Sequence, residues 1–141
     1  MAAAFRILLA EDNPGDVRLF REALSSRDLT VDLTVAQDGQ KAIELVKNAS
    51  ACSAPLDLIV LDVNLPRYQG DEVLRSVRAQ PLLRNVPVIM LTSSSAPGDR
   101  AAATWLGADL FIRKPSDLEE LLEVARIIEE ILTRPSNVTS A

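Results

Sequence analysis

The chain has 141 residues, of which 48% are hydrophobic and 25% are charged, and its formal net charge is −5. This length fits one domain with a core large enough to fold without a disulfide or a structural metal. The negative charge argues against nucleic-acid binding, because domains that bind nucleic acid usually carry a basic face. No apolar run approaches the ~18 residues of a membrane helix, and Arg6 interrupts the N-terminus too early for a secretory signal.

The single cysteine, Cys52, lies in a polar stretch that is predicted to be a loop. One cysteine cannot form a disulfide within the chain, which fits a reducing compartment. Together with the lack of a membrane segment in the sequence pattern, this leads us to expect a cytoplasmic protein that contacts neither a membrane nor nucleic acid.

The first dense apolar run extends from Phe5 to Ala10, and two acids, Glu11 and Asp12, follow it directly. Asn13 and Pro14 then predict the start of a helix, because asparagine caps helix N-termini and proline is tolerated at the first helical position. Apolar residues recur behind them at helical spacing. The pattern therefore predicts a strand that ends in two acids and leads into a helix.

The next two strands differ in pattern. Residues Val31 to Ala36 alternate between apolar and polar, as a half-buried edge strand does, and Asp38 can cap the helix that follows. Residues 58–61 are all apolar and lie between Asp57 and Asp62, which predicts a strand buried on both faces of a parallel sheet. A carboxylate is rarely buried without a partner, so Asp62 is expected at the mouth of a crevice. Taken alone, it could also be a solvated residue that ends a strand.

The second half of the chain continues the alternation of strands and helices. Strands are predicted at residues 88–91 and 110–112, and helices are predicted after Gly70, from Pro97 to Trp105 and from 118 to about 134. Five strands that alternate with five helices predict an α/β fold whose parallel sheet is covered by helices on both faces. The domain is expected to span residues 1–134, with residues 135–141 as a flexible tail.

In open parallel sheets, ligands bind beyond the C-terminal ends of the strands. The side chains that the predicted strands present at this edge are Glu11, Asp12, Asp62, Thr92 and Lys114. Carboxylates that converge there repel one another unless a cation lies among them, and Mg²⁺ suits a few carboxylates, water and phosphate oxygens. The lysine would then pair with an anion beside the metal. The pattern favours magnesium-dependent phosphoryl chemistry.

These residues resemble the response-regulator receiver domain family (CheY-like) over essentially the full chain. The resemblance makes Glu11 and Asp12 the acid pair of the family and Asp62 its phospho-acceptor. It makes Thr92 the switch hydroxyl and Phe111 the mobile aromatic residue, and it matches Lys114 and Pro115 to the lysine–proline pair. The segments 11–16 and 61–66 further resemble the stand-alone receivers that serve phytochrome-type and related histidine kinases. The resemblance implies a flavodoxin-like doubly wound sheet with strand order 2-1-3-4-5, with helices on both faces.

The resemblance also implies a function. A single-domain response regulator of a phosphorelay would accept a phosphoryl group on Asp62 from a sensor histidine kinase or from a phosphotransfer protein, and would lose it slowly by itself. The resemblance makes a phytochrome-type kinase a candidate donor. It would have no other enzymatic activity. Magnesium would be held by Glu11, Asp12, Asp62 and the backbone carbonyl of Asn64. Lys114 and Thr92 would contact the phosphoryl oxygens.

A conformational switch is implied as well. Movement of Thr92 would let Phe111 turn inward and alter the surface of the last two helices and the fifth strand. A partner, or a second copy in a homodimer, would dock on that surface, where Trp105 is either a contact residue or part of the packing. The bond between Lys114 and Pro115 is a candidate cis peptide, which would direct the lysine into the pocket.

Two other classes stay open at this stage. A magnesium-dependent phosphatase with an aspartate nucleophile would need a second aspartate two residues after Asp62, where this chain has Asn64. A flavodoxin-like module that binds a small molecule would need a phosphate loop rich in glycine, serine and threonine after the first strand, where this chain has Glu11 and Asp12.

Overall fold

The computed structural model describes residues 4–51, 56–63, 65, 70–92 and 107–134. The strands are β1 Phe5–Ala10, β2 Val31–Ala36, β3 Leu58–Asp62, β4 Val88–Thr92 and β5 Leu110–Arg113. The helices are α1 Pro14–Ser25, α2 Gly39–Ala51, α3 Gly70–Ala79 and α4 Leu118–Thr133, with a turn of 3-10 helix at Pro81–Leu83. The helix predicted from Pro97 to Trp105 and the predicted tail 135–141 lie outside the described residues.

The five strands are parallel and lie in the order β2-β1-β3-β4-β5, as the resemblance implied. β2 and β5 are the edge strands, so the prediction that β2 lies at the edge is confirmed. From β1 the chain turns to β2 on one side, and it then crosses back to β3 on the other side. Such a reversal of strand order creates a crevice at the C-terminal ends of the two strands that flank it, here β1 and β3.

The core lies on both faces of this sheet, and β3 supplies both halves. Ile59 and Leu61 pack on the face covered by α2 and α3, whereas Leu58 and Val60 pack on the face covered by α1 and α4. All residues of β3 are buried. Because successive side chains of a strand point to opposite faces, a continuous apolar run is what a central strand requires. The prediction of a strand buried on both faces is confirmed.

The predicted capping residues begin their helices. The side chain of Asn13 accepts hydrogen bonds from the backbone N–H groups of Gly15 and Asp16, and Asp38 accepts one from Lys41 at 2.7 Å. These bonds satisfy N–H groups that have no partner within the helix. In the described part of the chain, the helices are too short or too polar to cross a membrane.

Candidate functional site

The crevice between β1 and β3 contains the acids that were expected there. Ala10 pairs with Leu61 in the sheet, so the next residues along each strand, Glu11 and Asp62, lie side by side. Glu11 is 3% exposed and Asp62 is 4% exposed, whereas Asp12 is open to solvent. Carboxylate oxygens of these three residues lie within 4.8 Å of one another. The acids therefore form one cluster at the edge of the sheet.

Lys114 comes to this cluster from the end of β5. Its backbone N–H donates to the Thr92 carbonyl at 2.6 Å, which extends the pairing of β5 with β4 beyond the strand. The ammonium then lies 2.8 Å from Oδ2 of Asp62 and 2.9 Å from Oε1 of Glu11. The lysine therefore acts as a counter-ion inside the acidic cluster.

The charges of this cluster influence one another. Burial raises the pKa of Glu11, and the negative charge of Asp62 raises it further, although hydrogen bonds from Lys114 and from the Asn13 N–H oppose the rise. Burial would lower the pKa of Lys114, but its hydrogen bonds to Asp62 and Glu11 outweigh burial and raise the pKa above its usual value. Lys114 therefore stays protonated at neutral pH.

The donor set fits a hard divalent cation. Carboxylate oxygens are the ligands that Mg²⁺ and Mn²⁺ prefer, and Mg²⁺ keeps several water molecules, for which an exposed residue such as Asp12 leaves room. The carboxylates of Glu11, Asp12 and Asp62 outnumber the single ammonium of Lys114. A divalent ion would neutralise the remaining negative charge. Asn64, whose carbonyl was predicted to be a further ligand, lies outside the described residues.

The residues of the implied switch lie on neighbouring strands. Thr92, the last residue of β4, is 1% exposed. Met90 pairs with Phe111 on β5, so Thr92 is diagonal to Phe111 across the two strands. Phe111 is partly buried and packs against the core cluster that contains Met90. Since residues two apart in a strand share a face, Thr92 and Phe111 belong to the same face of the sheet.

One detail of the predicted site is wrong. The bond between Lys114 and Pro115 is trans, not cis. The lysine reaches both Asp62 and Glu11 with the trans bond, so the direction of its side chain does not require the less stable isomer. Trp105 and Cys52, whose roles were left open, lie outside the described residues.

Two further residues shape the site. Asp16, in the first turn of α1, places Oδ2 3.4 Å from the ammonium of Lys114. Gly70 begins α3 against the end of β3, where a Cβ atom would lie 2.7 Å from the Asp62 carbonyl oxygen. The only available sequence signals were the position of Asp16 just after the Asn13 cap and the glycine before the third predicted helix. Neither signal indicates such contacts.

The fold and the site define a class: a flavodoxin-like α/β protein with acids and a lysine at the point where the strand order reverses. Residues 7–126 match the response regulator receiver domain. The chain belongs to this family. It is therefore a CheY-like receiver domain of the kind found in two-component systems.

Individual relatives agree with this assignment. Response regulator Rcp1 of Synechocystis sp. is 32% identical over 136 residues, which cover 92% of each protein. The phosphorylated cyanobacterial phytochrome response regulator RcpA superposes with a TM-score of 0.81 at 32% identity, covering 92% of this chain and 94% of that chain. The Mn²⁺-bound form of Rcp1 gives a TM-score of 0.78 at 32% identity, covering 89% of this chain and 92% of that chain.

Proposed function

We propose that this protein accepts a phosphoryl group on Asp62 from the phosphohistidine of a sensor histidine kinase or a phosphotransfer protein, with Mg²⁺ as the bound ion. The observation that carries this proposal is the position of Asp62. It ends the central strand, lies beside Glu11 and Asp12, and has a lysine ammonium 2.8 Å from one of its oxygens. A similar protein, Rcp1, has a Mn²⁺-bound form, which supports the binding of a divalent ion by this fold.

In the proposed reaction, a carboxylate oxygen of Asp62 attacks phosphorus. The phosphorus–nitrogen bond breaks, and its electron pair returns to the imidazole nitrogen of the donor. Glu11, Asp12, Asp62 and the carbonyl of Asn64 would hold Mg²⁺, which neutralises charge on the phosphoryl oxygens when it is bound. The chain's own part is to hold Asp62 in place and to donate hydrogen bonds.

Two donors would serve the phosphoryl oxygens. The ammonium of Lys114 already lies against Asp62, so a small rotation of its flexible side chain brings it to an oxygen of the attached group. The hydroxyl of Thr92 would donate to another oxygen. Later attack of water on phosphorus would return Asp62 to its free form, which makes the protein a signalling acceptor that slowly resets itself.

Recruitment of Thr92 would also change the output surface. Thr92 and Phe111 share a face of the sheet, so movement of the threonine changes the space available to the aromatic ring. We propose that the ring then turns inward and that a partner, or a second copy of the chain, docks on the surface formed by β5, α4 and the helix predicted from Pro97 to Trp105. The similarity to a phytochrome response regulator favours a phytochrome-type kinase as donor. A cytoplasmic location stays a prediction from the sequence.

The test uses acetyl phosphate as donor and intact-protein mass spectrometry. With Mg²⁺, the wild type should gain one phosphoryl group, and both Asp62→Asn and removal of Mg²⁺ by chelation should prevent the gain. Asp57→Asn is the matched control, because Asp57 lies just before β3 at the opposite end and its side chain accepts from the Arg6 N–H. A gain that persists in Asp62→Asn, or a wild type that gains nothing, would contradict the proposal. A copurified flavin or catalytic release of phosphate would favour the other classes.

A further inference from the structure

Among the described residues, Lys114 forms ion pairs with Glu11, Asp62 and Asp16. The proposed function uses the first two acids but not Asp16. The side chain of Asp16 is 44% exposed, whereas those of Glu11 and Asp62 are 4% and 5% exposed. Its contact with the ammonium, at 3.4 Å, is longer than the two others. Asp16 also lines the groove between α1 and α4 that opens onto Lys114. Of the three acids that contact Lys114, Asp16 is therefore the one most exposed to solvent.

Asp16 also differs from the other acids in its relation to a metal. Among the described residues, the acids close enough to share an ion are Glu11, Asp12 and Asp62, and Asp16 lies outside that set. Two of the partners of Lys114 would therefore be engaged by a divalent ion, and Asp16 would not. Since a lysine ammonium is a compact charge on a flexible stem with three N–H donors, it can move between such partners.

We infer that Asp16 is a positioning residue that holds the Lys114 ammonium at the mouth of the pocket and competes with the phosphoryl group for it. This inference rests on the proposed function and deepens it. The contact is long and half-exposed, so it forms a weak ion pair that an incoming dianion displaces. The carboxylate also repels that dianion directly. Both effects lower the affinity of the pocket for a phosphoryl group.

Removal of the Asp16 charge should therefore strengthen the binding of a phosphoryl group or its mimic. In Asp16→Asn, the affinity for beryllium fluoride, which mimics a phosphoryl group on a carboxylate, should rise about threefold to tenfold, the size expected for one unit charge about 4 Å away in water-like surroundings. The KM for acetyl phosphate should fall by a similar factor, with a smaller change in the maximal rate. High salt should reduce the difference, because the contact is exposed to solvent.

The experiment compares Asp16→Asn with two other variants in the presence of Mg²⁺. Glu22→Gln removes one charge from an exposed position later in the same helix and should leave the affinity for beryllium fluoride unchanged. Asp16→Glu keeps the charge, so its affinity for beryllium fluoride should equal that of the wild type. Titration calorimetry gives the affinities. The NMR signal of the Lys114 side-chain ammonium, compared between wild type and Asp16→Asn, reports the contact without any reaction.

The outcomes separate the inference from the proposed function. If Asp16→Asn binds beryllium fluoride no more tightly than Glu22→Gln, or more weakly than the wild type, the competition is wrong and phosphoryl acceptance on Asp62 still stands. An unchanged ammonium signal in Asp16→Asn would also overturn the inference. If the wild type binds no beryllium fluoride and accepts no phosphoryl group, the proposed function fails, and the inference falls with it.

Discussion

Lys114 and Arg78 are both cations surrounded by oxygen atoms, but they lie at opposite ends of β4 and β5 and face different kinds of oxygen. Lys114 contacts the carboxylates of Glu11, Asp16 and Asp62 at the C-terminal ends of the strands. Arg78, near the end of α3, contacts the segments that lead into β4 and β5.

The guanidinium of Arg78 binds mainly neutral backbone groups. It donates to the carbonyls of Leu83, Arg84, Val86 and Gly107 at 2.7–3.3 Å and to Oδ2 of Asp109 at 3.0 Å. The same carboxylate oxygen accepts from the Val88 N–H at 2.8 Å. Gly107, whose φ of +101° favours glycine, sits against this side chain. The planar fork of arginine suits such a fixed set of acceptors.

The difference lies in the balance of charge. Within the part of the chain that the structure describes, Arg78 has one acid as its counter-charge and its other acceptors are neutral, so these contacts leave no excess charge for a ligand to balance. In the same described part, Lys114 contacts three acids, and a fourth, Asp12, lies beside two of them. The excess negative charge gives a divalent cation a reason to bind. One cation therefore stabilises the fold, and the other belongs to a site that is completed by a ligand.

The largest effect on stability is expected from the loss of Arg78 and its hydrogen bonds. Arg78→Met should lower the free energy of unfolding by about 3–5 kcal/mol, because it leaves several carbonyls without their donor. The Asp109 carboxylate loses the guanidinium and keeps its hydrogen bond from the Val88 N–H. Urea denaturation measures the change. Arg78→Lys should recover only part of it, since an ammonium cannot reproduce the fork. Phosphoryl acceptance by the folded fraction should be unaffected. A loss below about 1 kcal/mol, typical of an exposed ion pair, would contradict the structural role.

A smaller effect, with a different response to metal, is expected at the acidic cluster. Lys114→Met should lower the free energy of unfolding of the metal-free protein by about 2–4 kcal/mol, because two buried carboxylates lose their counter-ion while the lysine itself is partly exposed. Mg²⁺ should then raise the melting temperature of Lys114→Met more than that of the wild type, since the ion supplies the missing positive charge.

The control for this comparison is Lys41→Met, which removes an exposed lysine from α2. It should respond to Mg²⁺ as the wild type does. If Mg²⁺ stabilises Lys114→Met no more than it stabilises Lys41→Met, then Lys114 is not the counter-ion of the cluster.

The smallest effect concerns pH. Burial raises the pKa of Glu11 above its ordinary value of 4.5, so the folded protein retains a proton at pH values where the unfolded chain has released it. The resulting stability is present in full below pH 4.5 and is lost as the pH rises through the raised pKa. Glu11→Gln cannot ionise. Without metal, the stability of this variant relative to the wild type should therefore increase with pH above 4.5, as measured by urea denaturation across that range. A constant or decreasing difference would contradict the raised pKa.

Much of the fold could be predicted because its signals are local. The run of apolar residues in β3 and the caps Asn13 and Asp38 each decide the structure of their own segment. The acids of the site were predictable by one more step, because strand ends of a parallel sheet meet at one edge. The residues Glu11 and Asp62 follow from that rule once the strands are known.

The contacts within the site could not be predicted in the same way. Lys114 contacts acids that lie 103, 98 and 52 residues away in the sequence, and Asp16 is one of them. Such contacts depend on how far side chains reach in the folded chain. The bonds of Arg78 have no sequence signal at all, because most of its acceptors are backbone carbonyls, which every residue carries.

The most direct test of the central claim is to locate the phosphoryl group within the chain. Borohydride reduces an acyl phosphate of aspartate to homoserine, which peptide mass spectrometry can place at a single residue. After treatment with acetyl phosphate and Mg²⁺, we expect the product at position 62 and nowhere else. Homoserine at Asp12, Asp16 or Asp57, or a phosphoryl group that remains on a serine or threonine, would contradict the assignment of Asp62 as the acceptor.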